Sequence, residues 1–189
     1  MRADAKKNYD LLLSVARDVV AEQGAEASLR DIARRAEVGL GTLYRHFPTR
    51  DALFEALLRD GFDAQAARAA TLEQADSAAD ALVAWLRQTV AMAHELRGVI
   101  AVMVAAIDAP DSALHGSCVA MKAAGTRLLV RAQAAGTARS DVDGADLFAL
   151  VGALAWLGDQ PALAPRADHL FKLIAGALLV APQGIEQTA

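Results

Sequence analysis

Residues 28–58 read SLRDIARRAEVGLGTLYRHFPTRDALFEALL, and the punctuation of this stretch decides the fold. Leu29, Ile32, Ala33 and Ala36 recur at helical spacing and leave Arg30, Arg34 and Arg35 on the opposite side. That pattern predicts a short amphipathic helix with Ser28 as its N-cap. VGLG interrupts it with two glycines. TLYRHF then resumes the period through Leu43 and Phe47, Pro48 stops it, and Thr49 stands ready to cap a third helix with Leu53, Leu57 and Leu58 facing inward. Two short helices joined by a tight turn and packed on a preceding helix make a helix-turn-helix, whose second helix can enter a major groove. Leu43 and Phe47, four apart, anchor that second helix together with Val38 and Ile32. Thr42, Arg45 and His46 must therefore point elsewhere, with Tyr44 at the edge.

The stretch lies in a chain of 189 residues, 54% hydrophobic and 22% charged. That is enough for one compact domain or a small domain joined to a larger one. Apolar residues recur three and four apart almost everywhere, and no strand pattern stands out, so the expected fold is all-α. A first helix is predicted over 6–23, with Leu11, Val15 and Val19 on one stripe, Leu12, Ala16 and Val20 beside it, and Gly24 as its stop. Later helices are expected over 77–95, 98–108, 111–135, 143–157 and 166–180, and APQGIEQTA at the end reads as a frayed tail. The expected division is a small helical domain over 1–60 and a larger helical domain over 61–189.

Charge and cysteine content narrow the function classes. The net charge is −4, with +1 in residues 1–59 and −5 in the remainder. This excludes a protein that coats nucleic acid with its whole surface, although Arg30, Arg34, Arg35, Arg45 and Arg50 all fall within about twenty residues of one another. Cys118 is the single cysteine and cannot form an intramolecular disulfide. MRADAKKNYD lacks the apolar run of a secretory signal, and the longest apolar stretches fall short of the roughly 18 to 20 residues that span a bilayer. A cytoplasmic protein with no membrane partner is expected.

The polar residues of the helix-turn-helix divide by reach. Arg30, Thr42 and Arg45 suit base edges, whereas Ser28, Tyr44, His46, Thr49 and Arg50 suit phosphates; Gly39 and Gly41 permit close approach. Arg34 and Arg35 fit a solvated face as well as a phosphate contact. Further on, Trp85, Met92, Met103, Met121, Phe148 and Trp156 are candidates to line an apolar effector pocket, with His94, Arg97 and Arg127 as polar handles. Core packing competes as the role of each. His115 and Cys118 lack the further ligands a closed metal site needs. DVDGAD lacks both the correctly placed glycine and the downstream glutamate of a calcium loop, so Asp143 reads as an N-cap. With no nucleophile elbow, carboxylate pair, phosphate loop or redox cysteine pair, the sequence predicts no enzyme, no cofactor and no metal.

The segment from Ser28 to Leu58, extended upstream through LLLSVARDVVAEQG, resembles the DNA-binding segment of the TetR family of bacterial transcription regulators. It departs from the family's Ala-Gly-Val-Ser turn by carrying Glu37 and Gly39. The resemblance implies an all-α, homodimeric regulator of double-stranded operator DNA, with the last two long helices of each subunit forming a four-helix interface. Here that places Gly152, Ala155, Gly158, Leu170 and Ile174 at the contact, the small residues letting a partner helix come close. A repressor released from a palindromic operator by a small apolar effector is the expected mode, with α-helical residues 49–70 tilting on release. An activator or effector-independent regulator is the alternative, followed by an apolar-ligand carrier or enzyme with a vestigial DNA-binding segment.

Overall fold

The computed structural model describes residues 2–180, with side chains from residue 6 onward, so the expected frayed tail lies outside the described residues. The fold is all-α. Its helices are α1 (Arg2–Gln23), α2 (Leu29–Arg35), α3 (Leu40–His46), α4 (Arg50–Leu72), α5 (Ala78–Glu95), α6 (Arg97–Asp108), α7 (Ala113–Ala134), α8 (Gly144–Asp159) and α9 (Ala167–Leu178). Among the described residues the only extended pairing is one antiparallel bridge between Ala138 and Leu179. The chain divides into two compact units, one made of the chain up to Asp63 with Glu95–Cys118, the other of Ala64–His94 with the chain from Val119 onward.

In the first unit the helices end where the sequence is punctuated. Gly24 adopts φ +61 after α1, a left-handed conformation that costs glycine nothing. Thr49 accepts the Ala52 N–H at 3.0 Å as the cap of α4. The buried stripe of α1 is Leu12, Leu13, Ala16, Val19 and Val20, whereas Leu11 is exposed. Leu12, Ala16, Val19 and Val20 thus lie inward as expected, whereas Leu11 of the first expected stripe faces out and Leu13 takes an inward place.

Between α2 and α3 the chain turns at Ala36–Val38. The Val38 N–H bonds the Ala33 carbonyl and the Glu37 N–H bonds the Arg34 carbonyl, the paired closure that follows a left-handed residue at a helix C-terminus. That residue is Glu37, at φ +54. Elsewhere in the unit, Gly98 of α6 lies so close to the turn after α1 that a Cβ on it would stand 2.8 Å from the Ala25 backbone nitrogen. Only glycine fits there without displacing backbone.

In the second unit the core forms around Trp85, Leu82, Leu86, Leu128, Leu129 and Leu147, all buried. The Trp85 indole N–H donates to the Gln65 carbonyl at 3.0 Å, and its ring fills the space that a side chain on Gly125 would need. Asp143 caps α8, accepting the Ala145 and Asp146 N–H groups at 2.8 and 2.9 Å while Asp146 returns a bond to the Asp143 N–H. This reciprocal box fixes where α8 begins.

Two stability changes follow. Glu37→Gly removes the strain of a side chain in the left-handed region, and chemical denaturation should show a gain of about 0.5–1 kcal/mol. Gly98→Ala pushes a methyl into the backbone of Gly24 and Ala25, and the same measurement should show a loss of about 1–3 kcal/mol.

Candidate nucleic-acid interface and ligand groove

Burial of Leu43 and Phe47, at 0% and 2% exposure, sets the orientation of α3. Each is worth about 2–3 kcal/mol of transfer free energy when fully buried. Tyr9 of α1, which the sequence did not single out, packs against the Phe47 ring at 5.1 Å between centroids and meets the His46 ring edge-on at 6.1 Å. With that side taken, Tyr44 and Arg45 are exposed and Thr42 and His46 half-buried. Arg45 folds along its own helix, donating Nη2 to the Thr42 hydroxyl at 2.8 Å and Nε to the Gly41 carbonyl at 3.3 Å. The space in front of Gly41 is open, and that before Gly39 contains only the Thr42 hydroxyl at 4.0 Å.

The flanking residues differ in what they are committed to. Ser28 occupies the N-cap position of α2 but its side chain makes no cap bond, and both Ser28 and Arg30 are exposed. The Arg50 guanidinium lies 5.1 Å from the Phe54 ring centroid. Its Nε and Nη2 are buried without a hydrogen-bond partner among the described residues. Buried donors of this kind usually have an acceptor, so this end of α4 is suited to receive an anion.

Arg34 and Arg35 are instead absorbed into a network that ties α2 to α1. Arg35 forms a two-pronged bond to Glu22 at 2.9 and 2.7 Å and reaches Asp31 at 3.0 Å. Arg34 pairs with Asp31, and Gln23 donates to the same carboxylate at 3.2 Å. The hydrogen bond from Arg35 lowers the pKa of Glu22, and that from Arg34 chiefly lowers the pKa of Asp31. Of the two readings left open by the sequence for these arginines, the local carboxylates favour a structural role.

The apolar candidates of the second half differ in burial and surroundings. Trp85 is fully buried and Met121 nearly so, while Trp156 is 59% exposed. Met92 is half-buried, and Met103 belongs to the other unit. Arg127 pairs with Glu73 at 2.8 Å. Phe148 packs edge-on against Trp85 and lines a shallow groove between α7 and α8 with Val119, Lys122 and Thr126.

His94 does border a groove, of about 390 Å³, shared by α5, α8 and α9. It pairs with Asp159 at 3.0 Å. Arg87 and Phe171, absent from the expected set, form its other end with Asp168. The signal was present in the sequence as an i, i+3, i+4, i+7 stripe of Arg87, Val90, Ala91 and His94 on α5. Of the residues expected at a dimer contact, Gly152 is exposed and open, and Leu170 and Ile174 are half-buried. Ala155 is buried, and Gly158 lies against the His94 ring, where a Cβ would meet Nδ1 at 3.1 Å. Both therefore face into the subunit, and the exposed stripe of α8 is Ala149, Gly152, Ala153 and Trp156.

Among the described residues no single helix is long and apolar enough to cross a membrane, and no group of three or more His, Cys, Asp or Glu residues could hold a metal.

Residues 12–57 match the family described as bacterial regulatory proteins, tetR family, and residues 77–179 match the C-terminal domain described as transcriptional regulator SbtR-like. A TetR transcriptional regulator from Streptomyces coelicolor is 33% identical, with 92% of this chain and 99% of that one covered and a TM-score of 0.75. A TetR regulatory protein from Mycobacterium vanbaalenii is 34% identical over 95% and 99% of the two chains, with a TM-score of 0.70. An HTH-type transcriptional regulator from Staphylococcus aureus is 40% identical over 60 residues, which span 30% of this chain and 31% of that relative. These relatives are regulators and not enzymes. With both halves matched and the helix-turn-helix in place, the chain belongs to the TetR family of DNA-binding bacterial transcription regulators.

Proposed function

We propose that the protein is a cytoplasmic, homodimeric repressor that holds a palindromic operator and releases it when a small effector binds. The observation that carries the reading is the polar, outward face of α3, mounted on buried Leu43 and Phe47 and open in front of Gly41. In this reading residues 1–60 bind DNA and residues 61–189 bind effector and dimerise. Arg30, Thr42 and Arg45 read base edges. Ser28, Tyr44, His46, Thr49 and Arg50 meet phosphates, and the buried donors of Arg50 support its place among them. Arg45 must exchange its bonds to Thr42 and Gly41 for bonds to a base, so its reach is held in reserve on the helix.

Homodimerisation is supported by the exposed stripe of Gly152 and Trp156 on α8 and by Leu173, 56% exposed, on α9. Two recognition helices enter successive major grooves only when they lie about 34–36 Å apart. An effector that prefers a conformation with another spacing weakens DNA binding by the same factor with which DNA weakens effector binding.

Selection of bound DNA from a random pool by the purified protein should enrich a palindrome, and its affinity should fall steeply with salt. Failure of a folded dimer to enrich any sequence would remove the reading. Arg50→Ala should weaken all DNA and reduce the salt slope by about 1, whereas Arg45→Ala should cost about 1–3 kcal/mol and relax preference at one base pair. Binding isotherms across salt and across single-base operator variants separate the two.

A further inference from the structure

We propose that the groove between α5, α8 and α9 binds a small amphipathic carboxylic acid, its carboxylate on the Arg87 guanidinium and its apolar body along Val90, Ala91, Leu154 and Phe171. The proposal deepens the effector-responsive reading and rests on it for the link to DNA, though not for binding itself. The groove encloses about 390 Å³, within the range of small-molecule sites. Its walls are mostly apolar, and its polar groups stand at two poles. Arg87 and His94 lie seven residues apart on one face of α5, which separates them by about 10 Å along the helix. An elongated ligand fits this layout better than a compact one.

The charge arrangement at the Arg87 pole favours an acid. The guanidinium lies over the Phe171 ring at 4.1 Å from its centroid, a cation–π contact that does not use up its N–H donors. One nitrogen, Nη1, donates to Asp168 at 2.7 Å. Among the described residues the rest of the fork makes no further hydrogen bond. Asp168 has a second cation, Lys172 at 2.6 Å, and the two hold its pKa down, Lys172 first. A carboxylate entering the groove can take the Arg87 fork while Asp168 keeps Lys172, so no carboxylate is left without a counter-ion. At the far pole Asp159 is held by His94 at 3.0 Å. Asp159 is not on the groove wall, and the carboxylate that is, Asp168, already has two cations, which leaves little attraction for a cationic guest. A neutral apolar guest would strip water from Arg87 and return no acceptor.

The test is calorimetric titration of the full-length, DNA-free protein with octanoate, octanamide and octanol. Octanoate should bind once per chain and the two neutral analogues at least ~10-fold more weakly, as loss of a charge-assisted, two-pronged bond requires. Arg87→Gln should abolish the preference for the acid. Asp168→Asn should move affinity the other way, tightening octanoate severalfold, because the competitor for the guanidinium is gone. Ala91→Trp fills the groove from an exposed position without touching the ion pair, and should block binding even if Arg87 variants fold poorly. Equal affinity for octanoate and octanol, no octanoate binding at all, or a Asp168→Asn variant that weakens binding would each overturn the proposal. Coverage of the groove by a second copy of the chain would appear as no binding at concentrations where the chain is dimeric, and counts against it equally. If octanoate binds as described but leaves DNA affinity unchanged, the ligand-responsive reading fails while the site stands. Release of DNA by a neutral compound, with no carboxylate preference, gives the reverse.

Discussion

The burial of Leu43 and Phe47 is the constraint on which the polar outer face of α3 depends. A helix of seven residues has too few internal hydrogen bonds to hold itself in water, so α3 exists because one side of it is clamped. The clamp that can be named is α2, which packs against α3 and buries Ile32 and Ala33, together with Tyr9 laid across the Phe47 ring. Once the apolar side is fixed, helical geometry alone dictates which way Thr42, Arg45 and His46 point. Specific chemistry at the surface is therefore a by-product of packing beneath it.

The corner between α1 and α2 is stiffened by a different device. Glu22, Gln23, Asp31, Arg34 and Arg35 form a closed set of opposite charges on the solvent side. Exposed pairs taken singly contribute little, but Arg35 grips Glu22 with both prongs and so ties α2 to α1. The basic residues nearest to the recognition helix consequently split into two groups. One group is tied to acidic residues of the scaffold, and the other, Arg30, Arg45 and Arg50, forms none of these ion pairs.

The sequence made some parts of this legible and hid others for physical reasons. Gly24, Pro48, Thr49 and Asp143 mark helix ends because each acts through local backbone chemistry, and the helices begin and end close to them. The helix-turn-helix was readable because its anchors and its polar face lie within a few residues of one another. The register of α8 was harder. Gly152, Ala155 and Gly158 are all small, but only contact with His94 decides that Gly158 turns inward. The groove at Arg87 was missed for a similar reason: its aromatic wall, Phe171, lies 84 residues away in sequence, and residue type alone drew attention to Trp85, which is wholly occupied with the core. Met103 and Met121 stand out in the sequence for their adaptability, a property that suits a cavity wall and a packed interior equally well.

The two tryptophans, which the sequence could not tell apart, have opposite surroundings. Trp85 is closed off from solvent and donates its N–H to a backbone carbonyl, whereas Trp156 stands open on the outer stripe of α8. The molecule thereby carries two built-in optical reporters with different addresses. A soluble quencher reaches the Trp156 indole and is barred from Trp85, so the quenchable share of the emission follows events on the outside of α8, and the protected share follows the integrity of the core. Association of chains through that stripe and loosening of the interior thus leave distinguishable marks on one spectrum, without any label being attached.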